Sequence, residues 1–303
     1  MTGTTICTYR VLEKLGEGGM GAVYRAEDLR LGRYVALKFL SAPMRTDEWA
    51  RRRFRREAQA AAAVNHPNVC RVYDFVEAGS ELFIVMALLE GRDLGSCVTR
   101  DCFCVAQVLE IAAQVADGLA AVHRCGVIHL DVKPSNVIVT LDGRPVIIDF
   151  GLASAPGTGR IAPEKTTAGT AAYMSPEQVS GQTIDCRTDI WSLGVVLYEL
   201  LTGQLPFRSE YRQAITYSIL NEEPESPAIF SESPDVCSRA KMILGKALAK
   251  APRERYSSAE EFASDLRNLS HSAWTYRPNT PGARNCVALQ ASPWRPLQLS
   301  SPM

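Results

Sequence analysis

Ile128-His129-Leu130-Asp131-Val132-Lys133-Pro134-Ser135-Asn136 places a carboxylate, an amine and an amide within six positions. A helical pattern precedes the stretch and a short strand-like run follows it, so the three polar groups sit on a loop. An ordinary surface turn uses similar polar residues, but it has no need of the apolar Ile128 and Val132 threaded between them. Held by that apolar frame, Asp131 can accept a hydroxyl proton, Lys133 can neutralise a phosphate, and Asn136 can offer an oxygen to a divalent ion.

Downstream, Pro145-Val146-Ile147-Ile148-Asp149-Phe150-Gly151 reads as a buried strand ending in a carboxylate, a second hard oxygen ligand for a cation such as magnesium. Upstream, Tyr34-Val35-Ala36-Leu37-Lys38-Phe39 alternates with period two, which puts Ala36 and Lys38 on the same face of one strand. An edge-strand lysine that deters aggregation is the plain reading. An ammonium within an apolar strand otherwise needs an anion. Glu57 poses the mirror problem, because it lies on the apolar stripe of the following helix with Phe54, Ala61 and Val64. An ion pair between Lys38 and Glu57 answers both. At ~4 Å and an effective dielectric near ~20 the attraction is about 4 kcal/mol, comparable with what burial removes, so the pair positions more than it stabilises.

Nearer the N-terminus, Gly16-Glu17-Gly18-Gly19-Met20-Gly21-Ala22-Val23 is a G-x-G-x-x-G-x-V run. Missing side chains there would let backbone N–H groups approach phosphate oxygens, although a glycine-rich hairpin turn has the same composition. A dinucleotide fold is excluded, since Ala22-Val23-Tyr24 continues as strand where that fold requires a helix.

The organisation is α+β. Short apolar stretches broken by glycine run from Tyr9 to about Leu40, a helix is predicted from Asp47 to Val64, and strands from Val69 to Val76 and from Leu82 to Leu88. After Gly91 helices dominate: Ala106 to Cys125, Thr188 to Leu201, Tyr211 to Leu220, Val236 to Ala249 and Ala259 to Leu269. Strands near Val137 to Thr140 and Pro145 to Ile148 interrupt them. The expected units are residues 1–8 as an N-terminal extension, 9–90 as a strand-rich lobe, 91–270 as a helix-rich lobe and 271–303 as a disordered Pro-rich tail.

At 303 residues and 46% apolar composition, the chain can fill a large core or two. The 33 basic and 33 acidic side chains cancel, which argues against a dedicated nucleic-acid or polyanion binder. No run approaches the ~20 uninterrupted apolar residues of a membrane span, and residues 1–10 do not read as a secretory signal. The nine cysteines are odd in number and form no C-x-x-C pair, which favours a reducing cytoplasm.

Taken together, these motifs resemble a eukaryotic-type protein kinase of the bacterial Ser/Thr branch over about Tyr9 to Leu269. The resemblance implies a bilobal fold: a small antiparallel β-sheet lobe with one main helix, and a larger, mostly helical lobe. It implies that Gly16, Glu17, Gly18, Gly19 and Gly21 cover the phosphates of ATP, and that Lys38 and its partner Glu57 position them. Val23 and Ala36 would sandwich adenine beside Met86 and the hinge Ala87 to Leu89. Asp131 becomes the catalytic base, with Lys133 beside it, and Asn136 and Asp149 become ligands for Mg2+, or for Mn2+ in its place. Gly169 to Glu177 resembles the family's substrate-docking loop; Glu177 is expected to pair with Arg255, and Asp189 to brace the catalytic loop. Lys133 and Thr170 resemble serine/threonine specificity, so the implied partners are proteins with Ser/Thr acceptors, including a second copy in a transient homodimer.

A pseudokinase scaffold is disfavoured because Lys38, Asp131, Asn136 and Asp149 are all filled, and a small-molecule phosphotransferase explains Gly169 to Glu177 poorly. One departure stands out: Leu130 occupies the place where many kinases carry an arginine that gathers an activation-segment phosphate. Leucine cannot, even for a phosphate on Thr166 or Thr167. The basic run Arg51-Arg52-Arg53-Phe54-Arg55-Arg56 reads as the solvated face of the helix bearing Glu57, ahead of a docking patch. His66 and His123 read as packing residues, and Cys102-x-Cys104 is too isolated for zinc.

Overall fold

The computed structural model describes residues 1–18, 21–98, 103–150, 171–209, 211–227, 229 and 233–275. Gly19, Cys102, Gly151, Thr166, Thr167, Gly169 and Thr170 lie outside the described residues.

The first lobe is a six-stranded antiparallel sheet. Its strands are β1 (Thr5–Ile6), β2 (Tyr9–Gly18), β3 (Gly21–Asp28), β4 (Arg33–Phe39), β5 (Val72–Ala78) and β6 (Glu81–Ala87), in the order β1-β2-β3-β4-β6-β5. Alternation divides the two faces. Val35, Leu37, Phe83 and Val85 pack on one face with Tyr9, Val11 and Ala26. Leu82 and Ile84 pack on the other with Leu40, Phe54 and Ala58. The second face receives α2 (Glu48–Ala62), which follows the short α1 (Ala42–Arg45) and is capped by the Asp47 carboxylate accepting from the Trp49 N–H at 2.9 Å. Gly21 has φ +151°, and a Cβ there would meet the Phe39 carbonyl oxygen at 1.8 Å, so the closeness of β3 to β4 requires glycine.

Two boundaries differ from expectation in this lobe. Thr5 and Ile6 do not lie apart as an extension but pair with Arg10 and Tyr9. The strand expected from Val69 begins at Val72, because the preceding residues tie the lobes together: the Cys70 N–H donates to the Ile147 carbonyl, and the Ile147 N–H to the Asn68 carbonyl, both at 2.8 Å.

The second lobe begins with β7 (Gly91–Asp93), which pairs with β8 (Val137–Thr140) and through it with β9 (Pro145–Ile147). Its helices are α3 (Gly95–Val98), α4 (Val105–Arg124), α5 (Pro176–Ser180), α6 (Arg187–Thr202), α7 (Arg212–Asn221), α8 (Pro234–Ala247) and α9 (Ala259–Thr275). α4 is long and apolar enough to cross a membrane by length and composition, and most of it is buried in the core of this lobe, against α9, α6 and β9. α9 continues five residues into the stretch expected as tail. The first proline of that stretch is Pro278, and the Ser270 hydroxyl donates to the Ala106 carbonyl at 3.0 Å, holding the last turns on the core.

One buried ion pair locks this lobe. All five Arg255 donors are used: two on Glu177 at 2.7 and 2.8 Å, and three on the carbonyls of Ala249, Arg187 and Lys250. Burial alone would raise the Glu177 pKa, but Arg255 and the Thr188 hydroxyl more than offset it and hold the carboxyl below its ordinary value. Arg255→Met strands a buried carboxylate and is expected to cost about 3–5 kcal/mol, read as a lower midpoint in urea denaturation at neutral pH.

Candidate active site

Between the lobes lies a cavity of about 870 Å3. Gly16, Glu17, Gly18, Gly21, Val23, Ala36, Lys38, Glu57, Met86, Ala87, Leu89, Asp131, Lys133, Asn136 and Asp149 all line it. The hairpin of β2 and β3 forms the roof, with Val23 opposite Lys38 in the register. β4 carries Ala36 and Lys38 on its inward face, as period two requires.

The Lys38 ammonium donates to Glu57 Oε1 on α2 and, at 2.8 Å, to Asp149 Oδ1 just beyond β9. Burial works against this charge, yet the two carboxylates outweigh it and hold the Lys38 pKa above its ordinary value. One ammonium cannot fully compensate two carboxylates. Glu57 bears the cost: its Oε2 is buried without a hydrogen-bond partner, and burial with the neighbouring Asp149 pushes its pKa up to about 7 against the pull of Lys38.

Asp131 is held from two sides. Lys133 Nζ donates to its oxygens at 3.1 and 2.8 Å, and Asn136 Nδ2 donates to its Oδ2 and to its main-chain oxygen, both at 2.9 Å. Beneath it, Asp189 on α6 accepts the consecutive N–H groups of His129 and Leu130 at 2.9 and 2.8 Å, and His123 Nε2 lies 2.7 Å from the same carboxylate. That grip holds Leu130 at φ +67°, a strained conformation for a leucine, and so aims Asp131 toward the cavity. Asp149 also has positive φ, at +64°.

Leu130 itself is buried and packs with Ile128 and Ile184, a wholly apolar cluster. His66 accepts from the Asn68 N–H at 3.2 Å in its loop, and Cys104 caps α4. The basic run departs in part from expectation. Arg52 pairs with Glu48 at 2.9 Å, and Arg51 and Arg55 pair with Glu77, but Arg53 turns to line the interlobe cavity. Its spacing is the signal that would have shown this, four residues before Glu57 and so on the same helix face. Leu15, Cys70, Val72 and Ile138 also line the cavity without having been singled out; they are ordinary apolar residues whose role appears only when the lobes meet.

Fold and site define a protein kinase, and the chain belongs to that family: the protein kinase domain model matches residues 9–267. It is 42% identical over 265 residues to the serine/threonine-protein kinase PknB of Mycolicibacterium smegmatis, covering 85% of this chain and 42% of that protein. PknB of Mycobacterium tuberculosis is 40% identical over 265 residues, with coverage of 85% and 42%. The chain therefore spans less than half the length of these relatives. The crystal structure of the Mycobacterium tuberculosis PknI kinase domain is also similar, with a TM-score of 0.69, 31% identity, and coverage of 89% of this chain and 98% of that one.

Because the Glu57 carboxyl has its pKa raised on folding, it contributes stability that is fully present below the unfolded value near ~4.5 and is lost as pH rises to about 7. Thermal denaturation of wild type and Glu57→Gln between about pH 4.5 and 8 is expected to show wild type losing stability relative to the variant on going up the range, and levelling above neutrality.

Proposed function

We propose that this chain is a serine/threonine protein kinase that transfers the γ-phosphoryl group of ATP to protein hydroxyls. The observation that carries the reading is the sharing of Lys38 between Glu57 of one lobe and Asp149 of the other, in the same cavity as Asp131. Adenine fits between Val23 and Ala36 above and Ile138 below, beside Met86 and the main chain of Ala87 to Leu89. Backbone N–H groups of Gly16, Gly18 and Gly21 are suited to phosphate oxygens, and Lys38 brings positive charge to the α and β phosphates.

Asp131 accepts a hydrogen bond from the substrate hydroxyl, orients its oxygen for in-line attack and takes its proton. Lys133 supplies positive charge next to it as the phosphoryl group moves. Asn136 and Asp149 would hold a divalent ion: Asn136 directs its amide nitrogen to Asp131, leaving its carbonyl oxygen as a ligand, and Asp149 contributes a carboxylate that is 37% exposed. Mg2+ or Mn2+ bound there supplies charge neutralisation of the phosphates. Positioning and electrostatics account for the rate, with little covalent work left to the protein.

The natural acceptors are protein serines and threonines, and the chain's own are of the same class, so autophosphorylation between transiently paired copies follows from the same chemistry. The balanced charge supports no nucleic-acid partner, and the odd, scattered cysteines support a cytoplasmic location. Asp131→Asn is expected to lower labelled phosphate transfer from ATP to a generic protein substrate by roughly 10²–10⁴-fold while ATP binding, measured by calorimetry, is retained. Equal incorporation by both proteins overturns the assigned base. A wild type that binds ATP but transfers nothing to any acceptor overturns the kinase reading in favour of a scaffold. The apolar seat of Leu130 leaves no guanidinium at that position for an activation-segment phosphate, so phosphatase-treated enzyme is expected to keep its activity in the same assay.

A further inference from the structure

α2 carries Glu57, yet it has little apolar hold on the sheet. Its buried residues are Ala50, Phe54, Glu57, Ala58 and Ala61, so Phe54 is its one large buried apolar side chain. Alanines bury little area each, and a face made of them permits sliding and rotation that larger interlocking side chains would resist. Toward its N-terminal end the contact with the hairpin of β5 and β6 is looser still. A second cavity, of about 240 Å3, opens there among Arg45, Arg51, Glu77, Glu81 and Leu82.

Across this gap run polar ties. Arg51 Nη2 donates to Glu77 Oε2 at 3.2 Å, and Arg55 Nη2 donates to Glu77 Oε1. One carboxylate on the edge strand β5 thus grips two guanidinium groups one helical turn apart, each on its own oxygen. Arg55 is steadied by the Phe75 ring, whose centroid lies 5.7 Å from its guanidinium carbon.

Helical geometry links this grip to the active site. Glu57 lies two residues after Arg55, about 200° around the helix, so the two point to opposite sides. With side-chain atoms about 5–6 Å from the axis, a rotation of ~20° would carry the Glu57 carboxylate roughly 2 Å from its place, enough to break its bond to Lys38.

We propose that Glu77 is a positioning residue for phosphoryl transfer: by clamping Arg51 and Arg55 it sets the rotation of α2 at which Glu57 meets Lys38. The inference rests on the kinase reading of that pair. It gives the basic run a part that neither a docking patch nor a merely solvated face supplies. Arg51, Glu77 and Arg55 are 41%, 41% and 53% exposed, so salt screens the clamp while leaving the buried Lys38 pair less affected.

The test uses the 303-residue chain and three variants. Glu77→Gln keeps the shape and removes the charge, Glu77→Lys makes the clamp repulsive, and Glu77→Lys with Arg51→Glu and Arg55→Glu restores attraction with signs reversed. Glu77→Gln is expected to lower kcat/KM for ATP about three- to tenfold at low salt, Glu77→Lys to lower it further, and the triple variant to recover most of the loss. The gap between wild type and Glu77→Gln is expected to close as sodium chloride rises from about 50 to 500 mM. Hydrogen exchange should quicken in α2 and stay unchanged in α6.

Kinetics of Glu77→Gln within about twofold of wild type, or a loss indifferent to salt and unrepaired by charge reversal, overturns the proposal. If wild type transfers no phosphate to any acceptor, the kinase reading fails by itself. Exchange in α2 then still decides whether the clamp holds the helix.

Discussion

An ammonium buried between two carboxylates organises this molecule. Lys38 on β4 reaches Glu57 on α2 and Asp149 beyond β9, partners 19 and 111 positions away in the chain. Burying an unpaired lysine costs several kcal/mol, so the sheet, its helix and the second lobe are committed to meeting at one point. The arrangement also leaves one carboxylate in excess. Burial, together with the neighbouring Asp149, raises the Glu57 pKa to about 7 in the cavity where Asn136 and Asp149 offer oxygens.

The lower half of the site follows the same economy with different groups. Asp189 is fully buried, and burial alone would raise its pKa; His123, together with His129 and its backbone N–H, lowers it instead. Its carboxylate holds Leu130 in a left-handed conformation that leucine does not adopt freely, a strain on the order of 1–3 kcal/mol offset by charge-assisted hydrogen bonds. The result is an Asp131 whose side chain is fixed by Lys133 and Asn136 before any substrate arrives. Leu130 meanwhile points its side chain at Ile128 and Ile184, so the loop that carries Asp131 is anchored by packing where an arginine would have offered charge.

Much of the fold could be read from periodicity. The alternation of Tyr34 to Phe39 placed Lys38 and Ala36 together on one face, and the helical spacing of Phe54, Glu57 and Ala61 placed a carboxylate on a buried stripe. Element ends were less legible. Val69 and Cys70 look like strand by composition, but their hydrogen-bonding groups go to the other lobe; α9 passes His271 because nothing local stops it before Pro278. The arginine run divides for a reason that composition does not carry. Glu77 and Glu48 take Arg51, Arg52 and Arg55, and Arg53 lines the cavity with Glu57.

By itself the sequence picked out the polar residues that gather around one cavity and the local element that bears each one, because motif spacing and hydrophobic period are local properties of the chain. Only the tertiary structure decided that Lys38 answers to two carboxylates, that Glu57 keeps an orphaned oxygen, and that an edge-strand glutamate holds the helix behind it. Those outcomes depend on distances between elements and on the loss of water around them. Desolvation and long-range pairing exist only after the lobes have packed.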